Sequence, residues 1–180
     1  MASVATRASL PAGLILRGLC ADDAESLHAL ALRPEIERWS MDAPGMTLDA
    51  RRARLESLAM NQHAIGAWAG ATLVGWTELT QGKYRRAHAA VLALTVHDAW
   101  RRRGIGRALM RETLDLADNW LGLRRIEVNV YADDRPGLAF HRGFGFDVEA
   151  LKRGIALRDG VLADACLMAR LKDPMPLAAD

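Results

Sequence analysis

The chain of 180 residues is 51% hydrophobic and 26% charged, which is typical of a globular protein and argues against a disordered or fibrous one. Its 24 basic and 22 acidic residues give a net charge of +2, which argues against a dedicated nucleic-acid-binding protein. No apolar run approaches the roughly 20 residues of a membrane-spanning helix, and residues 14–16 are too short an apolar patch for a secretory signal.

The cysteines and histidines predict neither a disulfide framework nor a metal site. Cys20 and Cys166 are the two cysteines, and they lie far apart in the sequence. The five histidines are scattered, and no two of them have the spacing of metal ligands on a helix. We therefore expect no metal, and a cytoplasmic location.

The chain order predicts one domain over residues 13–172, with a loose leader over residues 1–12 and a tail over residues 173–180. A short strand at 13–19 precedes a helix at 21–32, in which Asp22 and Glu25 are spaced as a capping box. Pro34 interrupts this helix, and one further helical turn is expected after it.

The middle of the chain predicts a second helix and three strands. Thr47 is placed to cap a helix over residues 48–60. Two strands then meet in a tight turn at Ala69-Gly70. Residues 87–96 are mostly apolar, which is typical of a central strand buried on both faces.

A long helix is predicted from Gly104 to Trp120, because apolar residues recur on one face of it and Gly122 follows as a stop. The rest of the chain predicts an alternating strand, a short helix from near Pro136 to Gly143, and two strands joined by a hairpin; the three strands cover residues 124–131, 148–157 and 162–171. The order β-α-α-β-β-β-α-β-α-β-β indicates a mixed α/β domain.

Three arginines and two glycines stand where the central strand passes into the long helix. The helix N-terminus leaves backbone N–H groups without intrahelical partners, and these form an anion site that the helix dipole assists. Gly104 and Gly106 lack Cβ atoms, so phosphate oxygens can approach the amides closely. Arg101, Arg102 and Arg103 add positive charge around the same anion, which predicts a diphosphate site.

The same turn has alternative interpretations. A surface turn with solvated arginines would show the same residues. The phosphate motif GxxxxGK[ST] does not occur, and GxGxxG fails because Leu109 stands at its last position. An RNA-binding patch is disfavoured by the net charge.

The pattern Arg-x-x-Gly-x-Gly at residues 101–106 resembles the acyl-coenzyme A motif of the GNAT superfamily of N-acetyltransferases, [Arg/Gln]-x-x-Gly-x-[Gly/Ala]. The segment "RIEVNVYADDRPGLAFHRGFGF" resembles the later strand and helix of that family, and "RRAHAAVLALTV" its central strand. The segments "DNWLGLRRIEVNV" and "ALRDGVLADACLMAR" resemble the bacterial branch that acetylates L-amino acids and related small amines.

The resemblance implies a single-domain α/β fold with a mixed, mostly antiparallel sheet, splayed between two central strands and flanked by helices. It implies acetyl-CoA as co-substrate, a small primary amine such as an L-amino acid as acceptor, and a homodimer, since dimers are common in the family. The residues that it assigns to the cofactor are Leu94, Thr95, Val96, Arg101, Arg102, Arg103, Gly104, Ile105, Gly106, Arg107, Ala108, Asp134, Gly137 and Phe140.

In such enzymes an amine attacks the thioester carbonyl directly, and a carboxylate takes up the proton of the amine. Glu127 is the predicted base, because it alternates away from the core residues on the strand beside the splayed opening. The alternative is a surface carboxylate that pairs with Arg124 or Arg125, and Glu78 is the second candidate for the base. The backbone N–H of Val96 is the predicted donor to the oxyanion.

Three residues depart from the family pattern, in which Asn, Ala and Tyr usually stand where this chain has Asp134, Gly137 and Phe140. The tyrosine commonly protonates the departing thiolate, and Phe140 has no hydroxyl to do so. Water, Tyr131 or His141 would then serve, or no acid at all. A catalytically weak acyl-CoA-binding or sensing protein is therefore the alternative function.

The resemblance also implies a pocket for the acceptor amine, and four further residues are candidates to line it. Arg85 and Arg86 are candidates for binding a substrate carboxylate, with solvated loop charges as the alternative. His88 matches a histidine of the resembling branch and is either a substrate-orienting residue or a strand-start residue satisfied by backbone. Trp39 is a candidate for a wall of the pocket, with a core role as the alternative.

Overall fold

The computed structural model describes residues 13–42, 44–58 and 60–173. The predicted leader lies outside these residues, and so does the predicted tail after Asp173. The strands are β1 (Leu14–Gly18), β2 (Gln62–Ala69), β3 (Thr72–Gln81), β4 (Ala89–Val96), β5 (Arg125–Tyr131), β6 (Asp147–Arg158) and β7 (Val161–Leu171). The helices are α1 (Ala24–Ala31), α2 (Pro34–Glu37), α3 (Leu48–Glu56), α4 (Ile105–Asp115) and α5 (Arg135–Arg142).

The seven strands form one sheet in the order β1-β2-β3-β4-β5-β7-β6. Neighbouring strands are antiparallel except β4 and β5, which run parallel. This arrangement confirms the predicted mixed, mostly antiparallel sheet with flanking helices. The predicted element order is also confirmed, with α2 as the single further turn after Pro34.

Helices α4 and α5 pack on one face of the sheet, which we name the back face. Its core joins side chains of both helices to alternate residues of the central strands, such as Leu92, Met110, Ile126 and Leu138. The hydroxyls of Thr77 on β3 and Thr113 on α4 lie 2.8 Å apart and are both buried. A buried hydroxyl needs a partner, so this bond ties α4 to the centre of the sheet.

Helices α1 to α3 pack on the opposite, front face, where they cover β1, β2 and β3. They stop short of β4, so Val91 is 45% exposed and Ala93 is also exposed. The prediction that the central strand is buried on both faces was therefore wrong. Its apolar side chains are needed on the back face, whereas its front face lies open beside the helices.

Of the two helix caps predicted from the sequence, one differs in the structure and one is confirmed. The capping box at the start of the first helix joins Cys20 and Asp23 rather than Asp22 and Glu25, and the Asp23 carboxylate accepts a 3.0 Å bond from the Cys20 N–H. Arg17 holds the same carboxylate at 2.7 Å, which explains why Asp23 takes the capping position. The predicted Thr47 cap is confirmed, since its hydroxyl accepts from the Ala50 N–H at 3.2 Å.

The long predicted helix continues past α4 as one π-helical segment, Leu116–Trp120. A π turn rotates the following residues relative to an α-helix. The helical spacing predicts that Trp120 extends the buried face of the helix. In the structure Trp120 is instead 78% exposed. In the part of the chain that the structure describes, no helix has both the length and the apolar character to cross a membrane.

His141 on α5 is a buried histidine in an apolar setting. Its Nδ1 lies 2.8 Å from the Gly137 carbonyl oxygen, so Nδ1 carries the proton, and Nε2 is buried without a hydrogen-bond partner. Its ring packs edge-on against Phe146 at 5.6 Å. Burial lowers the pKa of His141, because the protonated ring would be desolvated there.

This histidine makes the stability of the fold depend on pH. In the unfolded chain His141 takes up a proton as the pH falls through about 6.5, whereas the folded protein does so only at lower pH. We therefore expect the free energy of unfolding to decrease between about pH 7 and pH 5, and His141→Phe to reduce that decrease. Urea denaturation at several pH values measures it, with the exposed His88→Gln as control. An identical slope for His141→Phe and the wild type would contradict the prediction.

Candidate functional site

An opening lies in the sheet between β4 and β5. These parallel strands share three residue pairs, the last of which is Val91 with Glu127. From Leu92 and Val128 onward the two strands no longer pair, while β4 continues along β3 and β5 along β7. The described sheet is therefore split toward the carboxyl ends of its two central strands.

The backbone of β4 presents particular residues to this opening. The His97 N–H bonds to the Val74 carbonyl on β3. Because main-chain groups of an antiparallel strand alternate between its two edges, those of Thr95 also point toward β3. Leu94 and Val96 therefore direct their N–H and C=O groups into the opening. Thr95, which the resemblance also assigns to the cofactor, directs its own groups toward β3 instead.

The loop between β4 and α4 ends at the same opening. Arg102 has φ +61° and Gly104 has φ +82°, so the chain turns sharply and aims successive N–H groups in one direction. In the described chain, no hydrogen bond is made by the N–H groups of residues 102–107. The N–H groups of Arg101 and Ala108, which the resemblance also assigns to the cofactor, are instead occupied by the Asp98 and Gly104 carbonyls.

Four exposed arginine side chains surround these amides: Arg101, Arg102, Arg103 and Arg107. None of the four forms an ion pair with a residue that the structure describes. Arg103 stacks over Trp100 at 4.9 Å and Arg107 approaches Phe144 at 5.9 Å, while Arg101 and Arg102 make no such contact. The loop is therefore a positively charged surface without a resident anion partner.

Helix α5 begins beside this loop. Its cap is Asp134, whose carboxylate accepts a 2.9 Å bond from the Gly137 N–H. A Cβ on Gly137 would collide with the same carboxylate. The two departures from the family pattern are thus coupled, and the Asp134 charge is engaged in capping the helix.

The structure brings three of the predicted cofactor residues together. A methyl group on Gly106 would lie 3.5 Å from the Phe140 ring and 3.5 Å from Cγ2 of Val96. Phe140 itself packs against Phe144 and the ring of His141, at the edge of the back core. The first turn of α4, the end of β4 and α5 therefore meet at one place, next to the opening.

Glu127 lies on the front face at the last pair of β4 and β5. Its side chain is 17% exposed, and its Oε1 accepts a 2.6 Å bond from Arg125 Nε and lies 3.4 Å from Arg86. Both contacts end on Oε1, and among the described residues none is made to Oε2. The guanidinium of Arg125 also pairs with Glu149, and these two carboxylates raise the pKa of Arg125.

Glu78 lies on the same face, on the other side of β4. It pairs with Ala93, and its Oε2 accepts a 2.6 Å bond from Arg54 of α3. Arg54 also lies 3.6 Å from Asp42. Glu78 is therefore held by a helix of the front layer, whereas Glu127 is held by Arg125 of its own strand and by Arg86 of the segment before β4.

An aromatic cluster lies further along β5. The Tyr131 hydroxyl donates to the Ser40 carbonyl at 3.1 Å, and its ring meets Trp39 edge-on at 6.1 Å. Arg158 covers both rings and pairs with Asp133. Burial raises the pKa of Tyr131. Trp39, predicted as a wall of the acceptor pocket, thus lies on the front face beyond the opening.

The remaining predicted residues lie nearby on the surface. Arg85 is exposed, and Arg86 is largely exposed despite its contact with Glu127. His88 is exposed, and its carbonyl accepts bonds from the N–H groups of Arg124 and Arg125. Sequence reasoning missed Arg54, Ser40 and Arg158, because no local pattern links them to partners far away in the chain.

Comparison with known proteins identifies the family. Residues 24–146 match the model of the acetyltransferase (GNAT) family. The L-amino acid N-acetyltransferase AaaT of Escherichia coli (strain K12) is 30% identical over 159 residues, which are 88% of this chain and 98% of that protein. The N-alpha-acetyltransferase RimI of Mycobacterium tuberculosis is 34% identical over 116 residues, 64% of this chain and 70% of that protein.

Solved structures share the fold at low identity. The acetyltransferase yncA of Salmonella typhimurium, solved with its cofactor acetyl-CoA, aligns over 93% of this chain and 99% of its own, with TM-score 0.78 and 16% identity. The ribosomal-protein-S5-alanine acetyltransferase of Vibrio fischeri aligns over 89% of this chain and 94% of its own, with TM-score 0.81 and 16% identity. The family model spans more than half of the chain, and a 30% identical relative is covered almost completely, so the chain belongs to the acetyltransferase (GNAT) family.

Proposed function

We propose that the protein transfers the acetyl group of acetyl-CoA to the primary amine of a small molecule. One observation supports this most strongly: the unpaired N–H groups of residues 102–107 lie at the mouth of the opening between β4 and β5. A diphosphate accepts hydrogen bonds from such amides, and an amide-containing chain forms hydrogen bonds with a free strand edge. Coenzyme A has both groups in one molecule.

The residues present fit this co-substrate. The free amides and the four unpaired arginines around them would hold the diphosphate. Leu94 and Val96 would bind the pantetheine amides in the manner of an added strand. The thioester would then lie beside Val96, near the place where Phe140 and Gly106 meet.

The acetyl transfer itself needs a neutral amine, a proton acceptor and a donor to the developing oxyanion. The amine nitrogen attacks the thioester carbonyl carbon, the new C–N bond forms, and the C–S bond breaks. Glu127 takes the amine proton, directly or through water, with the oxygen that its arginine partners leave free. The Val96 N–H at the open edge donates to the carbonyl oxygen as its negative charge develops.

The departing thiolate takes its proton from water in this proposal. Phe140 has no proton to give, and the Tyr131 hydroxyl donates to Ser40. His141 is a neutral core residue whose free nitrogen is an acceptor. Solvent reaches the opening from the front face, where Val91 is exposed.

An L-amino acid is the proposed acceptor. The relative that covers most of this chain is named an L-amino acid N-acetyltransferase. The front face also offers both charge signs next to the opening, with Glu127 on β5 and arginines on α3. We place the activity in the cytoplasm, because neither Cys20 nor Cys166 forms a disulfide.

We also propose a homodimer through the tip of the β6–β7 hairpin. Leu157 and Leu162 are paired across the two strands and are 71% and 67% exposed. Val161, at the hairpin turn, is exposed as well. An apolar patch of this kind on an edge hairpin is typical of a surface that pairs with another copy.

The diphosphate site is tested at Gly106. The space there accepts a Cβ, so Gly106→Ala should fold and bind acetyl-CoA nearly as the wild type does. Gly106→Asp puts a negative charge beside the free amides, and we expect the dissociation constant for acetyl-CoA to rise by about 10- to 100-fold or more. Isothermal titration calorimetry measures both variants. If Gly106→Asp bound acetyl-CoA as tightly as the wild type does, the diphosphate would not bind at this site.

The base is tested with Glu127→Gln and Glu78→Gln. We expect Glu127→Gln to lower kcat by roughly 10²- to 10⁴-fold with unchanged acetyl-CoA affinity, because the amide cannot take up a proton. Thiol release, followed over a range of pH, measures the effect. A larger loss in Glu78→Gln, or an unchanged pH–rate profile in Glu127→Gln, would assign the role elsewhere. Tight binding of acetyl-CoA without turnover of any amine would instead indicate a sensor.

The dimer is tested by placing charge in the apolar patch. We expect Leu157→Asp with Leu162→Asp to shift the protein from dimer to monomer in analytical ultracentrifugation, because two buried charges would face each other. Ile15→Asp is the matched control, since Ile15 is 59% exposed on the opposite edge strand of the sheet. A wild-type monomer, or a dimer in the double variant, would refute this interface.

A further inference from the structure

Arg51 is a buried cation to which the described part of the chain offers no hydrogen-bond or ion-pair partner. It lies on the inner side of α3 and is 7% exposed. Its Nε is buried and makes no hydrogen bond, and no ion pair or hydrogen bond joins its guanidinium to any residue that the structure describes. The Nε–H is one of the five N–H donors of a guanidinium, and leaving a buried donor unsatisfied is costly.

Nearby carboxylates do not satisfy these donors. Asp42 and Glu78 are close enough to act on Arg51 electrostatically, but both are engaged by Arg54, one turn further along the helix. Burial lowers the pKa of Arg51, and the attraction of these two carboxylates offsets only part of the effect. Among the residues that the structure describes, this cation therefore has no negative group that is free to pair with it.

The position of Arg51 relates it to the opening. Its neighbour Arg54 reaches Glu78, which pairs with Ala93 on β4. Ala93 is two residues beyond Val91, the last residue of β4 that pairs with β5. Arg51 is thus on the front face, beside the unpaired part of β4, and on the side of the sheet opposite α4.

We propose that Arg51 binds the carboxylate of the acceptor, so that the enzyme selects amines bearing a neighbouring carboxylate. This inference rests on the proposed acetyl transfer. A guanidinium matches a carboxylate with two parallel hydrogen bonds. The proposal also gives an amino acid two opposite anchors on one face, with its amine toward Glu127 and its carboxylate toward Arg51. The exposed Arg85 and Arg86 are then peripheral to this selection.

The experiment compares glycine and the L-amino acids that carry a primary α-amine with their primary amides, which keep the amine and lose the negative charge. Calorimetry with CoA-saturated protein measures binding, and thiol release from acetyl-CoA measures kcat and KM. The variants are Arg51→Gln, Arg51→Lys and the matched control Arg52→Gln, which changes an exposed arginine of the same helix. Acetyl-CoA affinity is measured for every variant.

For the wild type we expect the best amino acid to bind at least tenfold more tightly than its amide. Arg51→Gln should weaken amino-acid binding and raise KM by about 10- to 100-fold while leaving the amide unchanged. Arg51→Lys should keep part of the difference between amino acid and amide that Arg51→Gln loses. Arg52→Gln should behave as the wild type. Equal use of amino acid and amide by the wild type, or an unchanged preference in Arg51→Gln, would overturn the proposal, and so would the absence of amino-acid binding.

Thermal unfolding separates binding from a structural role. Since the unpaired cation destabilises the unliganded fold, Arg51→Met should raise the melting temperature while amino-acid binding is lost. A lower melting temperature together with intact selectivity would show that Arg51 serves only the fold. Failure of the proposed function is distinguishable, because then no amine or amide would be acetylated by any variant.

Discussion

Strands β4 and β5 pair over only three residues, and the organisation of the site depends on where this pairing ends. Each strand keeps an antiparallel neighbour on its outer side, so neither loses its place in the sheet when the two separate. The separation leaves a free strand edge inside a well-packed domain. Unpaired main-chain groups in such a place need partners, and in the proposed function an extended ligand provides them.

The two faces of the sheet divide the work around this opening. On the back face, α4 and α5 are fixed to the strands by an apolar core and by the buried bond between Thr77 and Thr113. The first turns of α4 are fixed at the mouth of the opening by Ile105 and Leu109, which pack against Ala67 and Val74 on the same face. On the front face, α1 to α3 leave β4 uncovered, which gives a second molecule access to the same place from the opposite side.

Charge is arranged differently at the two ends of the opening. The loop before α4 gathers exposed arginines with no acidic partner in the described chain, as suits a polyanion that binds from solvent. The front face instead interleaves arginines and carboxylates, each held by a neighbour. Arg51 departs from that rule, and the departures at Asp134 and Gly137 have a simpler origin, since the carboxylate that caps α5 occupies the space of a Cβ.

The sequence by itself determined the features that depend on neighbouring residues: the element order, the Thr47 cap, and the arginine-glycine turn before the long helix. Family resemblance added the split sheet and the role assigned to Glu127. Only the tertiary structure decided which way the backbone of Thr95 points, since that depends on its register with β3. It also decided that Tyr131 meets Ser40, 91 residues away, and that Arg51 has no hydrogen-bond or ion-pair partner among the described residues. Contacts between distant residues follow from how layers pack, and single-chain periodicity carries no information about that packing.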